Sequence, residues 1–550
     1  SLEGVWGTQV PLCSSRDLVA RNLKLDVGNN PIMPTAPDNF AALLSRSTLT
    51  DLAAEEAVAL VGATIDAAWM GKRPEVLEHV QQLASALPRE SLPPQLLTLL
   101  DYFLANLWHD LRDLRIAGSV EAWKWESDET EGEVVCLRKA LRSEGLLELP
   151  VERVCQLHTN LGNCLNRIGR FIEAQSCWRQ ALVIEPRFGM ARGNLGMGLW
   201  YYARATYDPG HAAVLARESW RLLDPGALTA LEPGAAEHFA SVRTNIESAL
   251  GSDVLGQELD LAAFPLGDSA AERRYRGWCL GHGLFLNPLN DLGPHPIAAR
   301  DIVTAPSIVA KIGEGPRFHG FFNQLKQEYC SARWLVYEAL HADGPHFSDR
   351  DVLIYNTLDY PCYSLGDEKL RLGFRALYSL FDKIAFFLNA YLELGIPERR
   401  VSFRSIWYQN QQQKKGTRVE FTSRPNWPLR GMFWLAKDLY EDTPEFRAVM
   451  DPDSERLNNV RNHLEHKHLR VHDSMWSGVE PGAAADGLTE SIYKDDFADM
   501  TLRLLALSRA ALMYLSLGVH SEERARAATR PATAITPPMP LDIWEDDWKQ

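Results

Sequence analysis

The stretch NNVRNHLEHKHLR, residues 458–470, brings Arg461, Asn462, His463, His466 and His468 within about two helical turns. Four of the chain's 15 His residues lie between His463 and His472, so the clustering needs a cause. Three are available: an exposed polar helix, a metal site, or a site that handles phosphates. A metal site built on His463, His466 and His468 lacks both H-E-x-x-H and H-x-x-E-H, and the carboxylate between them, Glu465, adjoins His466 instead of standing off as a third ligand. A merely solvated face sits poorly with three Asn, at 458, 459 and 462, because Asn is a weak helix-interior residue. Arg456, Arg461, Lys467, Arg470 and the four His also face a single acid, Glu465, in a chain of net charge -15. That composition is a local surface that attracts phosphate.

Cleaving RNA without a metal takes a base for the 2'-OH proton, an acid for the leaving 5'-oxygen and a cation for the charge on phosphorus. Histidine suits the proton transfers because its pKa lies near neutrality. Arginine suits the phosphate because its planar, permanently charged fork donates paired hydrogen bonds. One helix supplies one such set, whereas two copies facing each other across a two-fold axis supply two His and two Arg to one phosphate.

The elements that position these residues are helical. Asp451, Pro452, Asp453, Ser454 and Glu455 form a helix start, with Asp451 as cap and acids at the positive dipole end. At about 100° per residue, Leu457, Val460, Leu464 and Val471 fall on one stripe that faces the core. Asn458, Arg461, Asn462, Glu465 and His466 share an adjoining polar arc, while His468 lies at the border of the apolar stripe.

The rest of the chain fits an all-α protein. Its 550 residues, 46% hydrophobic and 23% charged, suit a soluble protein of several domains, and every strong apolar segment is interrupted by charge before the length of a membrane span. The eight Cys form no C-x-x-C pair, which fits a reducing cytoplasm and argues against structural zinc. No secretory signal opens the sequence, and the missing initiator Met suggests a processed or trimmed chain. Residues 1–48 read as irregular with at most one short helix. Residues 49–250 read as helical repeats, clearest at 155–186, where Leu161, Gly162, Leu165, Gly169, Ala174, Trp178, Ala181 and Pro186 take tetratricopeptide spacing and Leu195-Gly196 recurs 34 residues after Leu161-Gly162. Such an array offers a concave surface for a protein or peptide partner. Residues 251–310 read as an irregular lead-in to a second helical domain of about five helices ending near 520, and 521–550 as a Pro-rich, acidic-aromatic tail.

A second basic stretch, 399–430, carries six Arg and two Lys against Glu420 alone, interleaved with Phe403, Trp407, Tyr408, Phe421 and Trp427. Arg404, Lys414, Lys415, Arg418, Trp407 and Tyr408, with Lys467 and Arg470 from the first stretch, are the RNA-binding candidates, since cations track a backbone and aromatics stack on unpaired bases. The competing reading is an inter-helix loop whose aromatics pack internally.

Arg461-Asn462-x-x-x-His466 resembles the R-x(4-6)-H motif of HEPN ribonucleases. GLFLNPLND, KQEYCSAR, FDKIAFFLNAY, IWYQ and RNHLEHKHL look like a bacterial branch of that family that often follows helical repeats, over about 270–520. The resemblance implies a C-terminal HEPN helical bundle acting as a dimer, a metal-independent endoribonuclease without cofactors, and a toxin or abortive-infection effector in antiviral defence acting on tRNA or another structured RNA. It implies that Arg461 holds the scissile phosphate, Asn462 orients it and His466 is the acid/base. His468 also satisfies the wider spacing. An acidic residue from another helix supports the centre in some relatives, and Glu328 or Asp382 are the candidates here, each able instead to pair with Arg333 or Lys326. The alternative is a non-catalytic, repeat-based interaction protein whose HEPN-like bundle only dimerises or binds nucleotides.

Overall fold

The computed structural model describes residues 40–116, 123–231, 233–257, 259–311, 313–440, 454–473, 489–531 and 536–549. The reading of residues 1–39 and the helix start at 451–453 lie outside these. Among the described residues the protein is all-α, with one small two-stranded sheet.

The N-terminal half is a run of helices: α1 (Phe40–Leu44), α2 (Ala54–Met70), α3 (Pro74–Ser85), α4 (Pro94–Ile116), α5 (Asp128–Arg142), α6 (Val151–Arg167), α7 (Phe171–Ile184), α8 (Gly189–Ala205), α9 (Pro209–Leu222), α10 (Pro233–Leu250) and α11 (Ser252–Gly256). Proline opens α3, α4, α9 and α10, where its fixed φ suits a helix start and its missing N–H costs nothing. Sequential helices pack side by side, α4 on α5, α6 on α7 and α8 on α9. A Cβ on Gly162 would come within 2.5 Å of the Trp178 indole, so only glycine lets α6 and α7 approach this closely.

The C-terminal half holds α12 (Ala270–Gly281), α13 (Arg317–Leu340), α14 (Leu365–Tyr391), the short α15 (Val419–Thr422), α16 (Trp427–Tyr440), α17 (Ser454–His466) and α18 (Lys494–Thr529). Helices α13, α14 and α16 pack around α18. By length and composition α18 is the one described helix able to cross a membrane, but 83% of its most apolar window is buried against its neighbours, as in the central helix of a bundle. Three boundaries differ from the sequence reading. Helix α12 forms inside the region read as irregular, capped by Ser269, whose hydroxyl accepts from Glu272 N at 3.0 Å. Helix α18 runs to Thr529, past the expected end, because Glu522 pairs with Arg424 at 2.9 Å and Glu523 accepts from Tyr391 Oη at 2.7 Å. Helix α17 stops at His466, and His468–His472 forms strand β1, parallel to β2 (Thr489–Tyr493), with Val471 opposite Ile492.

The two halves are joined by α16, which lies between the N-terminal helices and α18. Asp438 of α16 takes Arg138 at 2.6 and 2.8 Å and also binds Arg170, all three side chains being nearly buried. Lys437 reaches Glu126 at 2.7 Å and Glu131 at 2.6 Å. Trp427 donates to Asn166 O and Trp434 to Trp125 O, each at 2.7 Å. Gly169, at φ 94°, meets Gly431 so closely that a Cβ on Gly431 would lie 2.1 Å from Gly169 O. Asp291 adds a second tie, accepting from Tyr202 of α8 at 3.0 Å and from Arg509 of α18 at 2.7 Å.

Near this junction Glu133 is fully covered between Arg167 and His109. Burial alone would push its carboxyl up, but the charges of Arg167, His109 and Arg112 outweigh burial and hold it down at about 2. A folded-state pKa below the ordinary 4.5 means that Glu133 stabilises the fold above that value and that this contribution is lost as pH falls from 4.5 towards 2. Thermal unfolding at a series of pH values is expected to show a steeper loss of Tm over this window in the wild type than in Glu133→Gln; parallel curves would count against it.

Candidate active site

Helix α17 is seated by Leu457, Val460 and Leu464, all buried against α14 and α16. That seating turns Arg461 and Asn462 to a half-buried flank and His466 to the surface. The Arg461 guanidinium lies 5.5 Å from the Tyr378 ring centroid and donates from Nη1 to Asn462 Oδ1 at 3.1 Å. Among the described residues Arg461 is in no ion pair, so its remaining donors are not committed to a carboxylate. A half-buried arginine held by a ring face and an amide is poised for an external anion.

Tyr378 is itself fixed. Its phenol is hydrogen-bonded to Tyr440 at the end of α16, and burial pushes both phenols up, so they stay neutral beside Arg461. Asp382, one turn beyond Tyr378 on α14, accepts from Phe403 N at 2.9 Å, and its charge acts on both phenols. Helix α14 also grips the end of α17 and the start of β1. Arg375 donates to Leu464 O and lies 4.0 Å from Glu465, and Arg371 donates to Leu469 O at 3.5 Å. Arg371, Arg375, Tyr378 and Asp382 thus form one row along α14, spaced by three or four residues. Asp382 is one of the two supporting acids named from the sequence, whereas Arg371, Arg375, Tyr378 and Tyr440 escaped that reading; an Arg, Arg, Tyr, Asp series at helical spacing was the available signal.

Of the two supporting acids, Asp382 lies in the surroundings of Tyr378 and Arg461. Glu328 is engaged elsewhere, with Lys383 at 2.5 and 2.7 Å and Gln324 at 2.9 Å. Neither pairs with Arg333 or Lys326: Arg333 forms its ion pair with Asp301 at 2.6 Å and Lys326 donates to Val303 O at 3.0 Å. His463 is turned back onto Asn459 O at 2.8 Å. His468 does not border the core stripe, because the helix has ended; it is exposed at the start of β1, two residues beyond the exposed His466.

A family model described as LA2681-like HEPN matches residues 309–522. The match supports a HEPN-superfamily domain running from just before α13 nearly to the end of α18, with the Arg461 to His466 motif inside it. No curated protein and no solved structure matches the chain. GLFLNPLND falls before the HEPN match and does structural work: Asn290 Oδ1 accepts Phe285 N at 3.1 Å, and Arg509 binds Phe285 O and Asn287 O at 2.6 and 2.9 Å.

The second basic stretch of the HEPN region departs from expectation. Trp407 is 1% and Tyr408 7% exposed, so neither offers a face to a base. Trp407 packs among Trp125, Phe403, Phe421 and Phe433 and donates to Phe403 O at 2.7 Å. Arg430 is buried too, donating to Arg167 O at the C-terminus of α6, and burial beside Arg112 and Arg167 lowers its pKa to about 9. Removing Trp407 is therefore expected to cost about 3–5 kcal/mol of stability, as for other buried aromatic-to-Ala changes; a Trp407→Ala protein of wild-type stability would restore the stacking role. The cations remain on the surface in part. Arg404, Lys414, Lys415 and Lys467 are exposed. Arg418 lies 3.6 Å from Glu420, and Arg470 is bound to Asp359 at 2.9 Å.

Proposed function

We propose that the protein is a metal-independent endoribonuclease whose active site is built on α17 and completed by a second copy across a two-fold axis. Arg461 carries this reading: it is half-buried, oriented by Tyr378 and Asn462, in no ion pair among the described residues, and five residues before the exposed His466. Arg461 takes the scissile phosphate with paired hydrogen bonds and Asn462 orients it. One His466 accepts the 2'-OH proton as that oxygen attacks phosphorus, and the His466 of the second copy gives a proton to the departing 5'-oxygen. The products are a 2',3'-cyclic phosphate and a free 5'-hydroxyl. Arg404, Lys414, Lys415 and Lys467 hold the RNA backbone. The repeat helices act as a sensor for a protein or peptide partner, and the enzyme serves as a toxin or abortive-infection effector on tRNA or another structured RNA.

Structured RNA incubated with the purified protein in EDTA is expected to be cut with 2',3'-cyclic phosphate ends. Activity that EDTA abolishes, or 3'-hydroxyl ends, would contradict the proposal.

A further inference from the structure

Between α13 and α14 the chain makes a long excursion, residues 341–364, in which large apolar side chains face water. Phe347 is 71% exposed, Leu353 87%, Ile354 54%, Tyr355 84%, Leu358 77% and Tyr360 60%. Soluble monomers rarely leave so many apolar groups together in solvent, and such patches mark interfaces. Side chains of this size bury roughly 150–250 Å² each, so covering these six removes on the order of 800 Å² from water, the contribution of one partner to a standard stable interface.

The backbone of this segment is also available. Among the described residues, 352–357 forms no backbone hydrogen bond with another strand. Asp351, Leu358 and Tyr360 hold positive φ, which a bulky side chain rarely adopts, so the free segment is not in its relaxed extended form. Its far end is fixed to the candidate site. Asp359 binds Arg470, Pro361 bridges His472, and Cys362 N donates to Val471 O at 2.7 Å. The segment therefore extends the sheet edge that begins at His468, two residues after His466.

We propose that residues 347–360 form a self-association surface that pairs with the same segment of a second copy of this chain, bringing the two α17 helices to one RNA phosphate. The apolar stretch 352–357, lying between the positive-φ residues Asp351 and Leu358, has no backbone hydrogen bond to another strand among the described residues, and two such stretches can pair antiparallel about a two-fold axis. The area matches a stable dimer. The segment's attachment beside the α17 motif puts the partner where a site with one His and one Arg per chain needs its second set; this last step rests on the proposed function.

Sedimentation velocity of the full chain at micromolar concentration tests the proposal. The wild type is expected to be a dimer, and Leu353→Asp/Tyr355→Asp a monomer with at least 100-fold weaker association and unchanged helix content. Val183→Asp, at an exposed apolar position on α7, should remain a dimer. Should the double variant lose helix content, Leu353→Ser carries the same test. A wild type that is monomeric at tens of micromolar, or that binds only a different protein or lipid vesicles through this segment, would overturn the proposal, as would a double variant that dimerises like wild type. RNA cleavage read on the same samples separates the two claims. Dimers that depend on the segment but cut no RNA support this surface while ending the nuclease reading; monomers that cut at the wild-type rate overturn its role in completing the site.

Discussion

Arg461→Ala and His466→Ala are each expected to lower RNA cleavage by about 10²–10⁴-fold while leaving helix content and Tm unchanged. The magnitude follows from the roles: a positioned acid/base contributes about 10²–10⁴, and loss of one donor to a developing charge costs about 10²–10³. Stability should survive because neither side chain is part of the core. Arg461 contacts Tyr378 and Asn462 from a half-buried flank, and His466 is exposed. His468→Ala is expected to retain most activity, and Asp382→Asn to lose less than Arg461→Ala, because Asp382 acts through Phe403 N and the Tyr378 and Tyr440 phenols. Single-turnover rates on one RNA separate these cases. An inactive His468→Ala beside an active His466→Ala would move the proton transfer to the strand residue.

Asp438→Ala is expected to destabilise the protein by about 3–5 kcal/mol, the usual cost of removing one partner from a buried ion pair. Asp438 is 4% exposed and is the shared carboxylate of Arg138 and Arg170, so its loss removes the charge that ties α16 to α5 and to the start of α7, although Arg170 keeps Glu173 at 2.7 Å. Exposed salt bridges elsewhere, such as Lys549 with Asp546, should contribute little, because water screens them. Urea titration monitored by tryptophan fluorescence reads the difference directly, since Trp125, Trp427 and Trp434 line the same junction. A midpoint shift no larger than that of Asp546→Ala would mean the junction is not carried by this triad. Because α16 also packs on α17, the same variant reports whether a change at the N-terminal helices reaches the Arg461 flank.

Apolar periodicity made the helices legible: Leu457, Val460 and Leu464 do face the core, and α13, α14 and α16 lie where the pattern put them, as does α18 up to residue 518. The pattern was overridden at the end of α17. In HLRVH, Val471 continues the helical stripe of Leu464, whereas Leu469 and Val471, two residues apart, share a face only in a strand; the strand forms with β2, some 20 residues on, a backbone partner that no local window contains. The same limit governs the site. Arg461, Asn462 and His466 are neighbours in sequence, whereas Tyr378, Arg375 and Tyr440 arrive from α14 and α16 by packing. Composition misled at Trp407 and Tyr408: cations and aromatics interleaved along the chain resemble a nucleic-acid surface, but the interleaving does not fix which way a ring faces, and here both rings point inward.

The central claim is that α17 cuts RNA through His466. Mapping cellular RNA ends after expression of wild type and His466→Ala tests it most directly. Discrete new 5'-hydroxyl ends paired with 2',3'-cyclic phosphates are expected in the wild type and absent from His466→Ala. Identical end maps from the two proteins would contradict it.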